Sequence, residues 1–97
     1  MASTLYQPDG RTKDVRPANG KHWTLEELQG FVGGYIEVLR THDGGYMVIN
    51  EMGKVVTPML ELNYQATRLY QHGRHDPIVG CALVVDTHEE LEAPDES

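Results

Sequence analysis

The hydrophobic positions before the glycine pair Gly33-Gly34 repeat with the period of an α-helix. Thr24 and Glu27 have the spacing of a capping box, and Trp23, just before the cap, can pack on Leu28 as a hydrophobic staple. Gly33 is placed to adopt the left-handed conformation that ends a helix. The pattern therefore predicts a helix that starts after Thr24 and whose apolar face is formed by Leu25, Leu28, Phe31 and Val32.

From Tyr35 onward the period changes to two, which is typical of β-strands. The first strand runs from Tyr35 to Arg40, and His42-Asp43-Gly44-Gly45 forms a hairpin turn before a second strand, Tyr46 to Ile49. Another tight turn, Asn50 to Gly53, leads into Lys54-Val55-Val56. The pattern predicts three strands in an antiparallel meander.

Three more elements flank this meander. Gln7-Pro8-Asp9-Gly10 is a strong turn signal, and it predicts a β-hairpin formed by Thr4–Tyr6 and Thr12–Arg16. Asn63 can cap a second helix of about two turns that ends at Gly73, with a buried stripe of Ala66, Leu69 and Tyr70.

The most hydrophobic strand comes last. Ile78-Val79 and Ala82 to Val85 are placed centrally in the sheet, with Gly80 at a bulge or a close backbone approach. Together the elements predict an α+β fold. It is a small, mainly antiparallel sheet of four or five strands, with two short helices packed on one face. Residues 1–86 form this single domain, and residues 87–97 are expected to be a disordered acidic tail.

Charge and length narrow the function. Five of the fifteen acids lie in the last eleven residues, so the folded part keeps ten acids against eight bases and is close to neutral. The scattered Lys and Arg residues do not form the basic cluster that nucleic acid requires. No apolar run approaches the roughly 20 residues that span a bilayer. At 97 residues the core is small, so a homodimer or larger oligomer is consistent with this chain.

A lone cysteine and the absence of a signal-peptide pattern favour a reducing, cytoplasmic location. Cys81 lies in the most apolar stretch and is expected to be a buried structural residue. His72, His75 and Asp76 form a cluster that lacks a fourth ligand, so we predict no metal site. No nucleophile and base occur together, and we expect neither an enzyme nor a bound cofactor.

Several blocks along the chain together resemble a domain-of-unknown-function family of small proteins from bacteriophages, prophages and other bacterial mobile elements. Two of them are Val-Gly-Gly-Tyr-Ile-Glu at 32–37 and Asn-Glu-Met-Gly-Lys at 50–54. This chain departs from the family at Cys81, where related sequences often carry an acidic residue, and in its tail. The resemblance implies an accessory protein without an assigned activity. The remaining blocks are Leu5–Gly10, Leu25–Gln29, Met47–Ile49, Asn63 with Ala66-Thr67, and Ile78–Gly80.

The polar candidates each have a structural alternative. Glu37 alternates with apolar neighbours, and we expect it to pair with Arg68 or Arg40, in a structural or a functional role. Asn50 and Asn63 are explained by turn and cap roles. A pocket between the meander and the second helix could nevertheless bind a small ligand through Asn50, Glu51 and Arg68, with Asn63 and Thr67 in the same polar set.

Two binding functions remain after these exclusions. The first is a module that binds and modulates or inhibits a host protein, through an exposed strand edge or an apolar face with Tyr35, Tyr46 and Tyr64. The alternative is a protein that sequesters a small molecule, such as a nucleotide immune signal, in a pocket expected between subunits, with Arg and aromatic groups around a phosphate or base. We favour the first, which needs no catalytic group.

Overall fold

The computed structural model describes residues 3–56, 58–86 and 91, and its central feature is a five-stranded antiparallel sheet. In chain order the elements are β1 (Ser3–Tyr6), β2 (Thr12–Val15), α1 (Leu25–Val32), β3 (Ile36–Arg40), β4 (Tyr46–Asn50), α2 (Tyr64–Leu69) and β5 (Ala82–Val85). The strands are ordered β2-β1-β5-β4-β3, and every neighbouring pair is antiparallel. The predicted α+β class and antiparallel sheet are confirmed.

The first hairpin forms as predicted. β1 pairs with β2 from Ser3 opposite Val15 to Tyr6 opposite Thr12. The turn closes with a hydrogen bond of 3.0 Å from the Gly10 amide to the Gln7 carbonyl. Gly10 has a φ of +95°, a conformation that glycine adopts without steric cost. The turn signal in the sequence therefore sets the register of this edge of the sheet.

The start and end of α1 also agree with the sequence. The Thr24 hydroxyl accepts from the Glu27 amide at 3.1 Å, and Glu27 Oε1 accepts from the Thr24 amide at 2.9 Å, which completes the capping box. Gly33 ends the helix with a φ of +82°. Trp23 and Leu28, the predicted staple, are both buried in one apolar cluster. The Trp23 indole N–H donates to Ser3 Oγ at 3.1 Å, so the helix entry is joined to β1.

The predicted third strand of the meander, Lys54–Val56, is wrong. β3 and β4 pair from Ile36 opposite Asn50 to Arg40 opposite Tyr46, as expected. The other edge of β4, however, pairs with β5, so no free edge remains for a strand that follows β4 directly. The chain instead forms a turn, in which the amides of Val55 and Val56 both donate to the Met52 carbonyl.

The second helix ends earlier than predicted. Asn63 caps α2 as expected, but the helix stops at Leu69 and does not reach Gly73. Tyr70 turns extended, with φ −72° and ψ 130°, and forms a β-bridge with Thr41. The Gln71 amide then donates to the Arg40 carbonyl at 3.1 Å. Pairing with the end of β3 thus replaces the last helical turn.

The two helices lie on opposite faces of the sheet, which corrects the prediction that they share one face. α1 contributes Leu28 and Val32 to a cluster with Val48 and Leu83 of the sheet. α2 contributes to a second cluster, whose sheet residues are the alternate positions of β4 and β5. Successive side chains of a strand point to opposite faces, so the two clusters must lie on opposite sides. The second cluster contains Met47, Ile49, Ala66, Tyr70, Ile78 and Ala82.

β5 is the central strand, as predicted. It pairs with β1 on one side and with β4 on the other, and Ala82 and Leu83 have no exposed surface. Ile78 and Val79, which were predicted to belong to this strand, lie before it, and Val79 forms an isolated β-bridge with Leu62. Gly80, just before β5, has a φ of +78°, and a Cβ at this position would lie 2.8 Å from Leu60 Cδ1. The predicted close backbone approach at Gly80 is therefore correct.

The predicted tail falls mostly on residues outside the described part of the chain. Leu91 is described, and its half-buried side chain packs against the cluster on the α1 face. Among the described residues, no helix is long and apolar enough to cross a membrane.

Candidate functional site

Asn63 is the most buried of the predicted site residues, and its side chain joins three elements. Its Oδ1 accepts from the Ala66 amide at 3.0 Å, which caps α2. Its Nδ2 donates to the Tyr6 carbonyl at 3.0 Å and to the Gly80 carbonyl at 2.8 Å. With 1% of its surface exposed and both ends of the amide bonded, Asn63 holds the fold together and is not available to a ligand.

Asn50 has a similar role on the other side of the molecule. Its Nδ2 donates to the Val32 carbonyl at the end of α1 at 3.0 Å, and its Oδ1 accepts from the Met52 amide at 2.8 Å. The backbone of Gly34 passes close by, since a Cβ there would lie 3.1 Å from Asn50 Nδ2. Because Gly34 has no Cβ, the Asn50 amide has room to reach the Val32 carbonyl at the end of α1.

Thr67 also serves the backbone. Its hydroxyl donates to the Asn63 carbonyl at 2.8 Å and accepts from the Ile78 amide at 2.8 Å. It ties α2 to the segment that leads into β5. Asn63 and Thr67 thus lie together, as the sequence suggested, but their polar atoms are directed at the protein.

Glu37 does not form the predicted ion pair. It lies exposed on β3, and no ion pair joins it to another described residue. Arg40, three positions along the strand, points to the opposite face of the sheet. Its Cζ atom lies 4.7 Å from the centroid of the Tyr46 ring. Tyr46 is half-buried, whereas Tyr35 is 70% exposed just before β3.

Glu37, Asn50 and Glu51 do converge on a small cavity of about 90 Å³ between β4 and the segment before β5. Lys54 and Asp76 also line this cavity, and they form an ion pair with each other. Burial, aided by the negative charges of Asp76 and Glu37, raises the pKa of the nearby Tyr70 hydroxyl. Ligand pockets start at about 300 Å³, so this cavity admits only a few atoms.

Arg68 lies elsewhere, which separates the residues of the predicted pocket. It lines a second cavity, of about 210 Å³, together with Tyr6, Gln65 and Leu69. We call this cavity the α2–β1 pocket. Because Asn50 and Glu51 line the smaller cavity, the three residues predicted to bind one ligand cannot all do so. The sequence could not show this, because the helix face of Arg68 becomes defined only when α2 docks on the sheet.

The histidine cluster and the cysteine have local roles. His72 packs edge-on against Tyr70, with ring centroids 5.6 Å apart. Within residues 3–56, 58–86 and 91, no three His, Cys, Asp or Glu side chains are grouped closely enough to hold a metal ion. Burial raises the pKa of the partly buried Cys81 thiol, with a further contribution from Asp9. A raised pKa keeps the thiol protonated and weakly nucleophilic at neutral pH.

An exposed apolar segment is the feature that sequence reasoning missed. We call residues 52–56 and 58–62 the apolar loop. Its base is closed by a hydrogen bond of 3.0 Å from the Leu60 amide to the Gly53 carbonyl, and Leu60 Cδ1 lies against Gly53 and Gly80. The other large apolar side chains are between 37% and 66% exposed, and they are Met52, Val55, Val56, Met59 and Leu62.

The apolar loop continues into neighbouring exposed aromatic residues. Tyr64, at the start of α2, is 72% exposed. The Tyr35 carbonyl accepts from the Glu51 amide at 2.9 Å, so exposed Tyr35 lies beside the residue that precedes the loop. The signal in the sequence was Pro58 in an apolar stretch, which argues against a strand and leaves its hydrophobic residues without a buried face.

A family match covers nearly the whole chain. The family model of a domain of unknown function, DUF3846, matches residues 3–96. The chain belongs to this family. The resemblance to a domain-of-unknown-function family is therefore confirmed at that level. No curated protein and no solved structure matches the chain.

In this DUF3846 chain, sequence blocks that are far apart meet through the two asparagines. Asn50 joins its own block to Val32 and Gly34, and Asn63 joins its block to Tyr6 and Gly80. These residues maintain the architecture. Among the described residues, the apolar loop and the α2–β1 pocket are candidate binding surfaces.

Proposed function

We propose that this DUF3846 protein is a non-catalytic accessory protein of a phage or other mobile element, and that it binds and modulates a host protein in the bacterial cytoplasm. The observation that carries the proposal is the exposed apolar loop. The resemblance to small phage proteins supports the context.

The apolar loop has the composition of a contact surface. Small monomeric proteins rarely expose contiguous apolar patches, and such patches commonly mark interaction sites. Val55 and Met59 are 66% and 56% exposed, so their hydrophobic surface is free to be buried by a partner. Methionine adapts its flexible side chain to irregular partner surfaces. Burial of these side chains would drive association with a partner and requires no catalytic group.

The surroundings of the loop indicate the kind of partner. Exposed Glu51, Lys54 and Glu61 flank the apolar side chains, as in an interface with an apolar centre and a polar rim. The hydrogen bond from the Leu60 amide to the Gly53 carbonyl closes the base of the loop. An exposed apolar loop of this kind is complementary to an apolar groove on the partner.

Site-specific photo-crosslinking tests this proposal. A photoreactive phenylalanine analogue replaces Val55 in one variant and Leu25 in another, and each is irradiated in a lysate of bacterial host cells. Leu25 is the matched control, since it is a 49% exposed apolar residue on α1. We expect one dominant cross-linked host protein from position 55 and none of it from position 25.

Substitutions then test whether the loop provides the affinity. Val55→Ser with Met59→Ser should weaken binding of the purified cross-linked protein at least tenfold, while Leu25→Ser should leave it unchanged. Equal cross-linking from both positions, or unchanged affinity of the loop variant, would contradict the proposal.

A further inference from the structure

β3 is an edge strand of the sheet, and half of its backbone groups point away from β4. The Tyr35 carbonyl accepts from the Glu51 amide at 2.9 Å, so the residue just before β3 points its carbonyl at the β4 side. In an antiparallel pair, the direction of the backbone groups alternates from one residue to the next. The N–H and C=O groups of Ile36 and Val38 therefore point to the outer edge of the sheet.

The chain itself covers one end of this outer edge. Tyr70 forms an antiparallel bridge with Thr41, and the Gln71 amide donates to the Arg40 carbonyl at 3.1 Å. After Gln71 the chain turns away from β3, because the Gly73 amide donates to the Tyr70 carbonyl at 3.0 Å. The edge thus accepts an antiparallel segment at one end and is left open further along the strand.

The open part of the edge consists of Ile36 and Val38. Among the described residues, none forms a hydrogen bond with the outward N–H and C=O groups of these two. Val38 is 46% exposed, and Ile36 is half-buried against the apolar cluster on the α1 face. Unpaired donors and acceptors that alternate at the spacing of a strand match the backbone of an extended peptide.

The two edges of the sheet differ in their protection against such pairing. At the other edge, β2 presents Lys13 between exposed Thr12 and Asp14. Lysine on an edge strand is a common device against pairing with another chain. β3 contains neither lysine nor proline, and its two open residues are β-branched and apolar. Strand addition is therefore favoured at β3.

The charge beside this edge indicates one side chain of the partner. Glu37 lies between the two open residues and is exposed on the opposite face of the strand. Glu51 and Asp76 line the same small cavity as Glu37, and Lys54, its basic residue, is already paired with Asp76. Opposite charges directly across two strands attract, and like charges repel. A lysine or arginine opposite Glu37 is thus complementary to this position.

A second copy of this chain fits the edge poorly. The antiparallel register that matches Ile36 of one copy to Val38 of the other places Glu37 directly opposite Glu37, where like charges are destabilising. The register centred on Val38 places Ile36 of the second copy beside Arg40, where Gln71 is already bonded. A segment of a different protein avoids both conflicts.

We propose that the open edge of β3 binds an extended segment of a protein partner, which joins the sheet as an antiparallel strand. The backbone of the segment exchanges hydrogen bonds with Ile36 and Val38, and a basic residue of the segment lies opposite Glu37. The residues on either side of this basic residue are apolar, because their side chains lie on the α1 face beside Val38.

This inference rests on the proposed function, because it describes a second contact with the same host protein. Ile36 pairs with Asn50, and the apolar loop begins two residues later at Met52, so the loop and the open edge start from the same end of the β3–β4 pair. A peptide probes the edge alone, whereas photo-crosslinking from position 55 probes the loop alone. Failure of either contact can therefore be told from failure of the other.

A chemical-shift titration of the ¹⁵N-labelled protein with a short peptide tests the edge. The probe is acetyl-Ser-Thr-Val-Lys-Val-Thr-Ser-amide. One control peptide has glutamate in place of the lysine, and the other is N-methylated at both valines, which removes the donors that face Ile36 and Val38.

We expect the lysine peptide to produce saturable shifts and slower hydrogen exchange at the Ile36 and Val38 amides. The affinity should be millimolar, because only two residues of the edge are open. Both control peptides should bind about tenfold more weakly. No saturable shift at these two amides, or equal binding of either control peptide, would overturn the proposal.

Charge reversal in the protein separates recognition from a structural effect. Glu37→Lys should reverse the preference, so that the glutamate peptide binds more tightly than the lysine peptide. Glu26→Lys, a matched change of an exposed acid on α1, should leave the preference as it is. The loop variant Val55→Ser with Met59→Ser should also leave the titration unchanged. A preference that Glu37→Lys does not alter would contradict the proposed register.

Analytical ultracentrifugation of the protein without peptide tests the competing occupant. We expect no dimer that involves this edge, so the Ile36 and Val38 amides should exchange rapidly at every protein concentration. A dimer in which these two amides are protected would show that a second copy occupies the edge, and it would overturn the proposal.

Discussion

Asn63 shows how one side chain can determine the local architecture of a small protein. Three backbone groups from α2, β1 and the segment before β5 depend on its amide. Asn63 itself is buried, with 1% of its surface exposed, so water does not readily replace its amide. Removal would leave an amide and two carbonyls less satisfied in the interior, where each unmatched group is costly.

We therefore predict that Asn63→Ala lowers the free energy of unfolding by about 3 kcal/mol, at roughly 1 kcal/mol for each lost hydrogen bond. Urea denaturation followed by tryptophan fluorescence measures the change. Asn19→Ala is the matched control. The Asn19 side chain likewise bonds to the backbone, since its Oδ1 accepts from the amides of Lys21 and His22. Asn19 is exposed, however, and water can replace it. A loss for Asn63→Ala no larger than for Asn19→Ala would contradict this account.

At the scale of the element, the capping residues of α1 determine where the helix begins and ends. Glu27 completes the capping box with Thr24, and its second oxygen accepts from the Ala18 amide at 3.0 Å. The carboxylate therefore also anchors the preceding turn to the helix. The amides of Thr24 and Ala18 stabilise its charged form and lower the pKa of Glu27.

This lowered pKa predicts an acid-sensitive helix start. The folded state binds the Glu27 proton less readily than the unfolded chain, so the stabilisation is complete above the unfolded pKa of about 4.3. It is lost as the pH falls through the lower folded pKa. Glu27→Gln should reduce the unfolding free energy at pH 7, and its difference from wild type should shrink toward pH 3. Urea denaturation at several pH values measures this.

Glu26→Gln is the control for that experiment. Glu26 is an exposed first-turn acid that makes no capping-box hydrogen bond. Its substitution should change the pH dependence less than that of Glu27. A constant difference between Glu27→Gln and wild type from pH 7 to pH 3 would show that the carboxylate charge is unimportant.

β4 and β5 are apolar on both faces, and this bears on where the helices pack. Met47, Val48 and Ile49 are all buried, and β5 is equally apolar on both faces. Such continuous apolar runs are typical of strands covered on both sides. That signal was present in the sequence, and it argues for helices on both faces. The prediction that both helices pack on one face of the sheet did not take this signal into account.

At the scale of the whole molecule, sheet order sets the distribution of stability. β5 lies between two strands and between two apolar clusters, whereas β2 is an edge strand with exposed Thr12, Lys13 and Asp14. Amide exchange is slowest where burial and pairing combine.

We predict that the amides of Leu83 and Val84 exchange with deuterium most slowly, at a rate set by global unfolding, and that those of β2 exchange much faster. Hydrogen exchange followed by NMR at each amide measures both. Val48 in β4 provides an internal comparison, since it is also fully buried beside β5. Equal protection of Lys13 and Leu83 would contradict this order of stability.

The candidate site was less predictable than the fold. The turn role of Asn50 and the cap role of Asn63 were predicted correctly, because both follow from local sequence. The hydrogen bonds of Thr67 to the backbone were not predicted. Arg68 was assigned to one pocket with Asn50 and Glu51, but it lines a separate cavity with Tyr6 and Gln65, because its neighbours are decided by the docking of α2. Lys54–Val56, within the apolar loop, was predicted to be a strand, since β-branched residues suit a strand wherever an edge is free.

The sequence by itself determined the elements whose signals are local: the first hairpin, the capped helix α1, the start of α2 at Asn63 and the antiparallel pairing of β3 with β4. Turns, caps and short-range periodicity depend on neighbours along the chain, so they are visible without the fold. Only the tertiary structure decided what depends on distant partners. It placed β5 beside β4 and so left Lys54–Val56 without a strand edge, it put the helices on opposite faces, and it brought Tyr6 to Arg68. Each of these outcomes follows from competition among distant segments for the same edges and faces of one sheet.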